Sequence, residues 1–307
     1  MVRLSNILLA MLLCSLSLCA YSQADTTRHL RSDSIPGFIK GIGRGTKWLA
    51  DHKIALRKTL DGSKDEAKPA SILWNNDYEN KMYYVTVDAA IKVSEFALLK
   101  HGNLLFYPKA EWHKNGIPLD DKKKNNLTGG VNAEFFQSFG AKWWQHPFIT
   151  GSFDYKNDLI KKLGTTQTKG FLSFSGSKTL EPGAKLNNST KALVFRYYPY
   201  SGFEHYQSLN KQGQSASMWA NRLYLEWYPL SRYYYQFAQI TLDYTHRSII
   251  QDNLYGNGAM NWLSIGLNIY PDGKGNIGFG LDYSKGEDPS SNFVKTNMLA
   301  LGIKLKI

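Results

Sequence analysis

The sequence predicts an all-β fold: a transmembrane antiparallel up-and-down β-barrel of about twelve strands with a short N-terminal amphipathic helix. Three observations predict it. The chain closes on N-M-L-A-L-G-I-K-L-K-I, Asn297 to Ile307. There Leu299, Leu301, Ile303, Leu305 and Ile307 share one face, and small or charged residues share the other. Such a strand, apolar on one side only, suits the lipid-facing wall of a barrel. The same alternation recurs along most of the chain. Finally, residues 1–22 read as a cleavable secretion signal. Arg3 precedes an apolar run from Ile7 to Leu18, and Ala20-Tyr21-Ser22 sets small residues for cleavage before Gln23. A run of roughly 12 apolar residues falls short of the ~20 that a helical span needs.

Composition fits one barrel over residues 70–307 behind a periplasmic segment over 23–69. Aromatic residues are 14%, with 19 Tyr and 8 Trp, yet mean hydropathy is −0.38. A membrane protein that polar crosses as strands around a polar interior. Cys14 and Cys19 both leave with the signal, so the mature chain has no disulfide and no thiolate metal site. Losing Arg3 takes the net charge from +12 to +11.

In the N-terminal segment, Ser34-Ile35-Pro36 reads as a helix start, with Ser34 at the cap and Pro36 in the first turn. Ile35, Phe38, Ile42, Leu49, Leu56 and Leu60 then share one helical face, opposite Lys40, Arg44, Lys47, Asp51 and Lys58. A basic amphipathic helix over 34–60 can pack on the barrel rim, lie on a leaflet, plug the barrel or hold a periplasmic protein partner. Gly62–Pro69 reads as a linker.

The barrel strands follow in order. Ala70–Tyr78 opens the barrel and brings the count to twelve. In Met82–Val93, Val85, Val87, Ala89, Ile91 and Val93 face one way and Thr86, Asp88 and Lys92 the other. Leu104–Trp112, Leu127–Phe139, Phe148–Lys156 and Phe171–Lys178 come next. Further runs are carried by Phe195 and Tyr197, by Leu223, Leu225 and Trp227, and by Ile240, Leu242 and Tyr244. Leu263 to Ile269 and Ile277 to Tyr283 flank the turn sequence Pro271-Asp272-Gly273-Lys274-Gly275. With both barrel ends in the periplasm, Lys114–Lys124, Asn157–Thr168, Gln207–Ala216, Ile249–Gly258 and Gly286–Asn292 become external loops. Lys178–Lys191 is long for a periplasmic turn.

The opposite faces supply a lumen of mixed sign: Asp88, Glu111, Glu134, Asp154, Glu226, Asp243 and Asp282 against Lys92, Lys109, Arg196 and Arg222. Such a lining suits a water-filled pore or a closed barrel cross-linked by ion pairs. The first functional expectation is therefore non-catalytic, a narrow pore or a membrane scaffold. There is no Gly-rich phosphate loop, no histidine–carboxylate cluster and no nucleic-acid signature, so no cofactor and no nucleic acid is expected. Lys122-Lys123-Lys124 in an external loop suits anionic lipopolysaccharide. Membrane lipid and lipopolysaccharide are the expected partners.

One stretch offers chemistry. Asp243 to Ser248 reads D-Y-T-H-R-S. His246 and Ser248 are two apart and so share a strand face, the one that carries Ile240, Leu242 and Tyr244. The next strand runs back, and Asn261 begins its lipid-facing set. A base beside a hydroxyl, oriented by a third polar group, is the logic of an activated serine.

Tyr244, His246, Ser248 and Asn261 resemble the site of the outer-membrane phospholipase A family of Gram-negative barrels, whose pattern is Tyr-x-His-x-Ser on one strand and Asn at the start of the next. The resemblance covers about 20 residues. It implies a twelve-stranded barrel that hydrolyses lipid esters, with Ser248 as nucleophile, His246 as base, Asn261 orienting the imidazole, and calcium as cofactor. Ile249-Ile250 stand where that family has Asn-Gly. A rival set lies one hairpin earlier, in G-F-E-H-Y-Q-S and W-A-N-R-L-Y: His205, Ser208 and Asn221. Ser208 is three residues from His205 and needs a bulge to share its face.

Overall fold

The computed structural model describes residues 55–60, 69–92, 96–97, 104–119, 123–140, 142–174, 194–210, 213–229, 237–256, 258–271 and 277–305. The signal sequence, the turn at 272–276 and the whole of the long 178–191 connection lie outside them.

Among the described residues, fourteen strands form one antiparallel sheet. Twelve of them close on themselves: β2 (Ala70–Asp77), β3 (Met82–Lys92), β5 (Leu104–Asn115), β6 (Asn125–Phe136), β7 (Pro147–Asp158), β8 (Leu163–Phe174), β9 (Val194–Ser208), β10 (Ser215–Tyr228), β11 (Ala238–Asp252), β12 (Met260–Ile269), β13 (Ile277–Asp288) and β14 (Val294–Leu305). Each pairs with its neighbours in the chain, β3 pairs with β5, and β14 returns to β2 through Leu301 opposite Trp74. Closure leaves no barrel edge unpaired, which is what hydrocarbon demands of a sheet. The barrel is a transmembrane one by its own pattern. Ile72, Trp74, Val85, Phe153, Leu267, Phe279 and Ile303 point outward and are exposed. Asp88, Glu134, Asp154 and Glu226 point inward and are buried.

Strands β1 (Ala55–Arg57) and β4 (Phe96–Ala97) are additions. The helix expected over 34–60 lies outside the described residues as far as 54, and its last turn is not helical. Ala55–Arg57 instead pairs with Ala90–Lys92, the stretch of β3 that the shorter β2 leaves uncovered. An open backbone edge outcompetes the weak helical preference of three residues. Behind β1 the chain enters the lumen. Lys58 Nζ lies 3.8 Å from Asp88. Leu60 N donates to Glu111 Oε1 at 3.1 Å, and Asn132 Nδ2 donates to Leu60 O at 2.7 Å.

Four outgoing strands end in aspartate, and each aspartate closes its own turn. Asp77 accepts from the N–H groups of Glu79 and Asn80, Asp158 from Ile160 and Lys161, Asp252 from Leu254 and Tyr255, and Asp288 from Ser290. A carboxylate two or three residues upstream captures the amides that the ladder no longer serves. These turns are shorter than the loops expected from sequence, because the strands run on. β8 starts at Leu163 rather than Phe171, and β11 continues to Asp252. Beyond the lipid zone both strand faces are polar, so periodicity falls silent while the ladder persists.

The lumen residues expected from sequence all face inward, and ion pairs join most of them. Arg222 Nε meets Asp243 at 2.7 Å, Lys109 meets Asp154 at 3.1 Å, and Lys304 meets Asp282. His113 bridges Asp88 (2.8 Å) and Glu111 (3.3 Å). At the end away from the termini, the turn after β13 folds inward. Phe293, at φ 62°, buries its ring against Tyr206, Met218 and Met260. Lys124 Nζ reaches Ser290 Oγ at 2.8 Å, and Lys156 Nζ reaches Asn292 Oδ1 at 2.7 Å. A cavity of about 230 Å³ runs along the lumen, lined by residues such as Lys58, Asp88, Asp154 and Arg247.

Candidate active site

Strands β11 and β12 form a hairpin in which His246 stands directly opposite Asn261. Both sit on the outer wall near the end away from the termini. Three polar side chains meet there. His246 Nδ1 lies 2.9 Å from Asn261 Oδ1, and Ser248 Oγ lies 3.3 Å from His246 Nε2. Tyr244 OH donates to the same Asn261 Oδ1 at 3.0 Å. A carboxamide oxygen can only accept, so the imidazole donates through Nδ1, and in that neutral tautomer the lone pair of Nε2 faces the serine. The 3.3 Å contact is loose, as contacts without substrate commonly are. Ser248 is exposed, and Tyr244 (40% exposed) flanks the group on the wall.

The residue between base and nucleophile holds the strand from the other side. Arg247 points into the lumen and grips Glu204 of β9 through Nε (2.8 Å) and Nη2 (3.2 Å). Next after Ser248 the ladder to β10 slips. Met218 faces Ile249 but Ser217 faces Gln251, so Ile250 is an extra residue in β11. Ile249 packs inward on the Met218–Met260–Phe293 cluster, and Ile250 is 62% exposed. Ile249-Ile250 thus make a bulge directly behind the serine, a device that re-aims side chains.

The rival residues do not assemble. His205 faces outward and meets Ser217 at 2.9 Å, whereas Ser208 faces the lumen at 7% exposure. Asn221 instead accepts from Ser201 Oγ at 2.7 Å. No bulge in β9 brings Ser208 round. Sequence reasoning missed Glu287 and Gly286. The carboxylate of Glu287 accepts the backbone N–H of Asn261 at 2.8 Å. Gly286 has φ +113°, and a Cβ there would stand 1.9 Å from Asn261 O.

The phospholipase resemblance implies calcium. Among the described residues no group of three or more His, Cys, Asp or Glu side chains converges on one point. The nearby Asp252 and Glu287 carboxylates are engaged with backbone amides.

No family model matches the sequence, and no curated protein matches it. Among solved structures, the chain is similar to the NanC porin, at 11% identity and a TM-score of 0.43, covering 78% of this chain and 100% of that one. It is also similar to the translocator domain of the autotransporter NalP from Neisseria meningitidis, at 10% identity and 0.37, covering 88% and 96%. OccAB3 of Acinetobacter baumannii follows at 11% identity and 0.27, covering 83% and 98%. At such scores nothing of what those proteins do carries over to this chain.

Proposed function

We propose that this chain is an outer-membrane lipid acyl hydrolase that works from the outside wall of a closed barrel. The single observation that carries the reading is the Ser248–His246–Asn261 relay on a lipid-facing surface. Ser248 Oγ attacks an ester carbonyl of a membrane lipid while His246 Nε2 takes the hydroxyl proton. The imidazolium, steadied by Asn261 Oδ1, returns that proton to the departing lyso-lipid alkoxide. Water then cleaves the acyl-serine by the same base, and a fatty acid leaves. An exposed serine with its base on an apolar wall suits a substrate already dissolved in the bilayer.

The location follows from the wall and the signal: an apolar outer surface on a closed barrel, behind a leader that reads as secreted. The pore reading has less support. Leu60 enters the lumen from one end, Phe293 from the other, and ion pairs cross-link the lining between them, narrowing the space that remains. A lumen narrowed in this way favours a scaffold, and a scaffold for a surface site is what the hydrolase needs.

Refolded full-length barrel in mixed phospholipid–detergent micelles tests the proposal, with calcium and again with a chelator. The expected result is fatty-acid release in both arms, lost in His246→Ala. A folded barrel that releases no fatty acid in either arm would refute it and leave the scaffold.

A further inference from the structure

We infer that Glu287 is a positioning residue for the site: it fixes Asn261 in place by accepting that residue's backbone N–H. The inference rests on the hydrolase reading. Asn261 has to serve two neighbours through its side chain, since Tyr244 OH and His246 Nδ1 both end on Oδ1. That side chain is only as well placed as the backbone that bears it, and Asn261 lies at the frayed start of β12. On one flank β11 still pairs with it, His246 opposite Asn261. On the other flank the ladder to β13 stops at Trp262 opposite Gly286. The Asn261 N–H therefore points at β13 where no backbone acceptor remains, and an unmatched amide is costly.

Glu287 fills that gap. It stands one residue beyond Gly286, on the outer face of β13, and its Oε2 takes the amide at 2.8 Å. A bond from an amide to a carboxylate is stronger than one to a carbonyl. Gly286 makes the approach feasible: at φ +113° its backbone lies so close to the Asn261 carbonyl that a side chain there would overlap it. Three strands thus converge on one imidazole. β11 supplies the base, β12 the group that orients it, and β13 the clamp that holds the orienting group.

The test uses full-length refolded protein and two readouts: phospholipid hydrolysis, split into kcat and KM, and the rate of Ser248 labelling by a fluorophosphonate. Glu287→Ala is expected to lower kcat and the labelling rate about ten- to a hundred-fold, the scale of a misplaced catalytic group. KM should stay within twofold and the barrel's heat-induced gel shift should be unchanged. Glu287→Gln keeps an acceptor oxygen and should recover most of the rate. Equal labelling of wild type and Glu287→Ala would overturn this inference alone. So would loss of the gel shift with kcat per folded barrel unchanged, which marks a purely structural role. A wild type that never labels would overturn the hydrolase reading, and this inference with it.

Discussion

The β9–β10 and β11–β12 hairpins are built alike, and only one of them holds a relay. Each places a histidine near the outer end of its rising strand, facing out, with a polar residue directly opposite on the falling strand: His205 opposite Ser217, His246 opposite Asn261. Position by position, Phe203 stands for Tyr244, Gln207 for Ser248 and Ser217 for Asn261. The pairing at each histidine is alike, so three side chains and the bulge behind Ser248 separate the two. Serine at the second position from histidine lies on its face; serine at the third, Ser208, lies in the lumen. The alternation of a strand decides which of two similar motifs becomes a site.

Substitutions can break or sharpen this contrast. The largest effect belongs to Ser248→Ala, which should reduce fatty-acid release by about a thousand-fold or more, since the nucleophile is gone. Gly286→Ala should follow, at roughly a hundred-fold in kcat, because its methyl group collides with Asn261 and shifts the orienting carboxamide. Glu204→Ala acts from inside. It strands in the lumen the buried guanidinium of Arg247, the residue between His246 and Ser248 in the chain, and should cost about 3–5 kcal/mol of barrel stability, read as a lower unfolding temperature in the gel-shift assay. His205→Ala and Ser208→Ala should change hydrolysis less than twofold. The sharpest test transplants the relay: Gln207→Ser with Ser217→Asn, in a Ser248→Ala background, should give slow fluorophosphonate labelling at position 207, whereas either change alone should give none.

Much of this was legible in the residues. Period-2 alternation placed the lumen charges and the outward faces of β11 and β12, because a wall between lipid and a polar interior leaves each residue only two choices. Parity also separated Ser248 from Ser208. The strand ends were not legible: Thr165 to Lys169 carry polar residues on both faces, and their ladder to β7 and β9 is a matter of backbone bonds. Nor was β1, since the Ala90–Lys92 edge becomes available only once β2 proves shorter than β3. Glu287 was silent for a different reason. It acts on a main-chain amide of another strand, 26 residues away in sequence, and no spacing rule links a carboxylate to an unpaired N–H.

The most direct measurement is mass spectrometry of the refolded barrel after exposure to a long-chain fluorophosphonate. The expected result is a single adduct on Ser248 that disappears in His246→Ala, with Ser208 and Ser217 unmodified. A folded barrel with no adduct, or an adduct on another serine that survives loss of His246, would contradict the central claim that the outer wall of β11 and β12 carries an activated nucleophile.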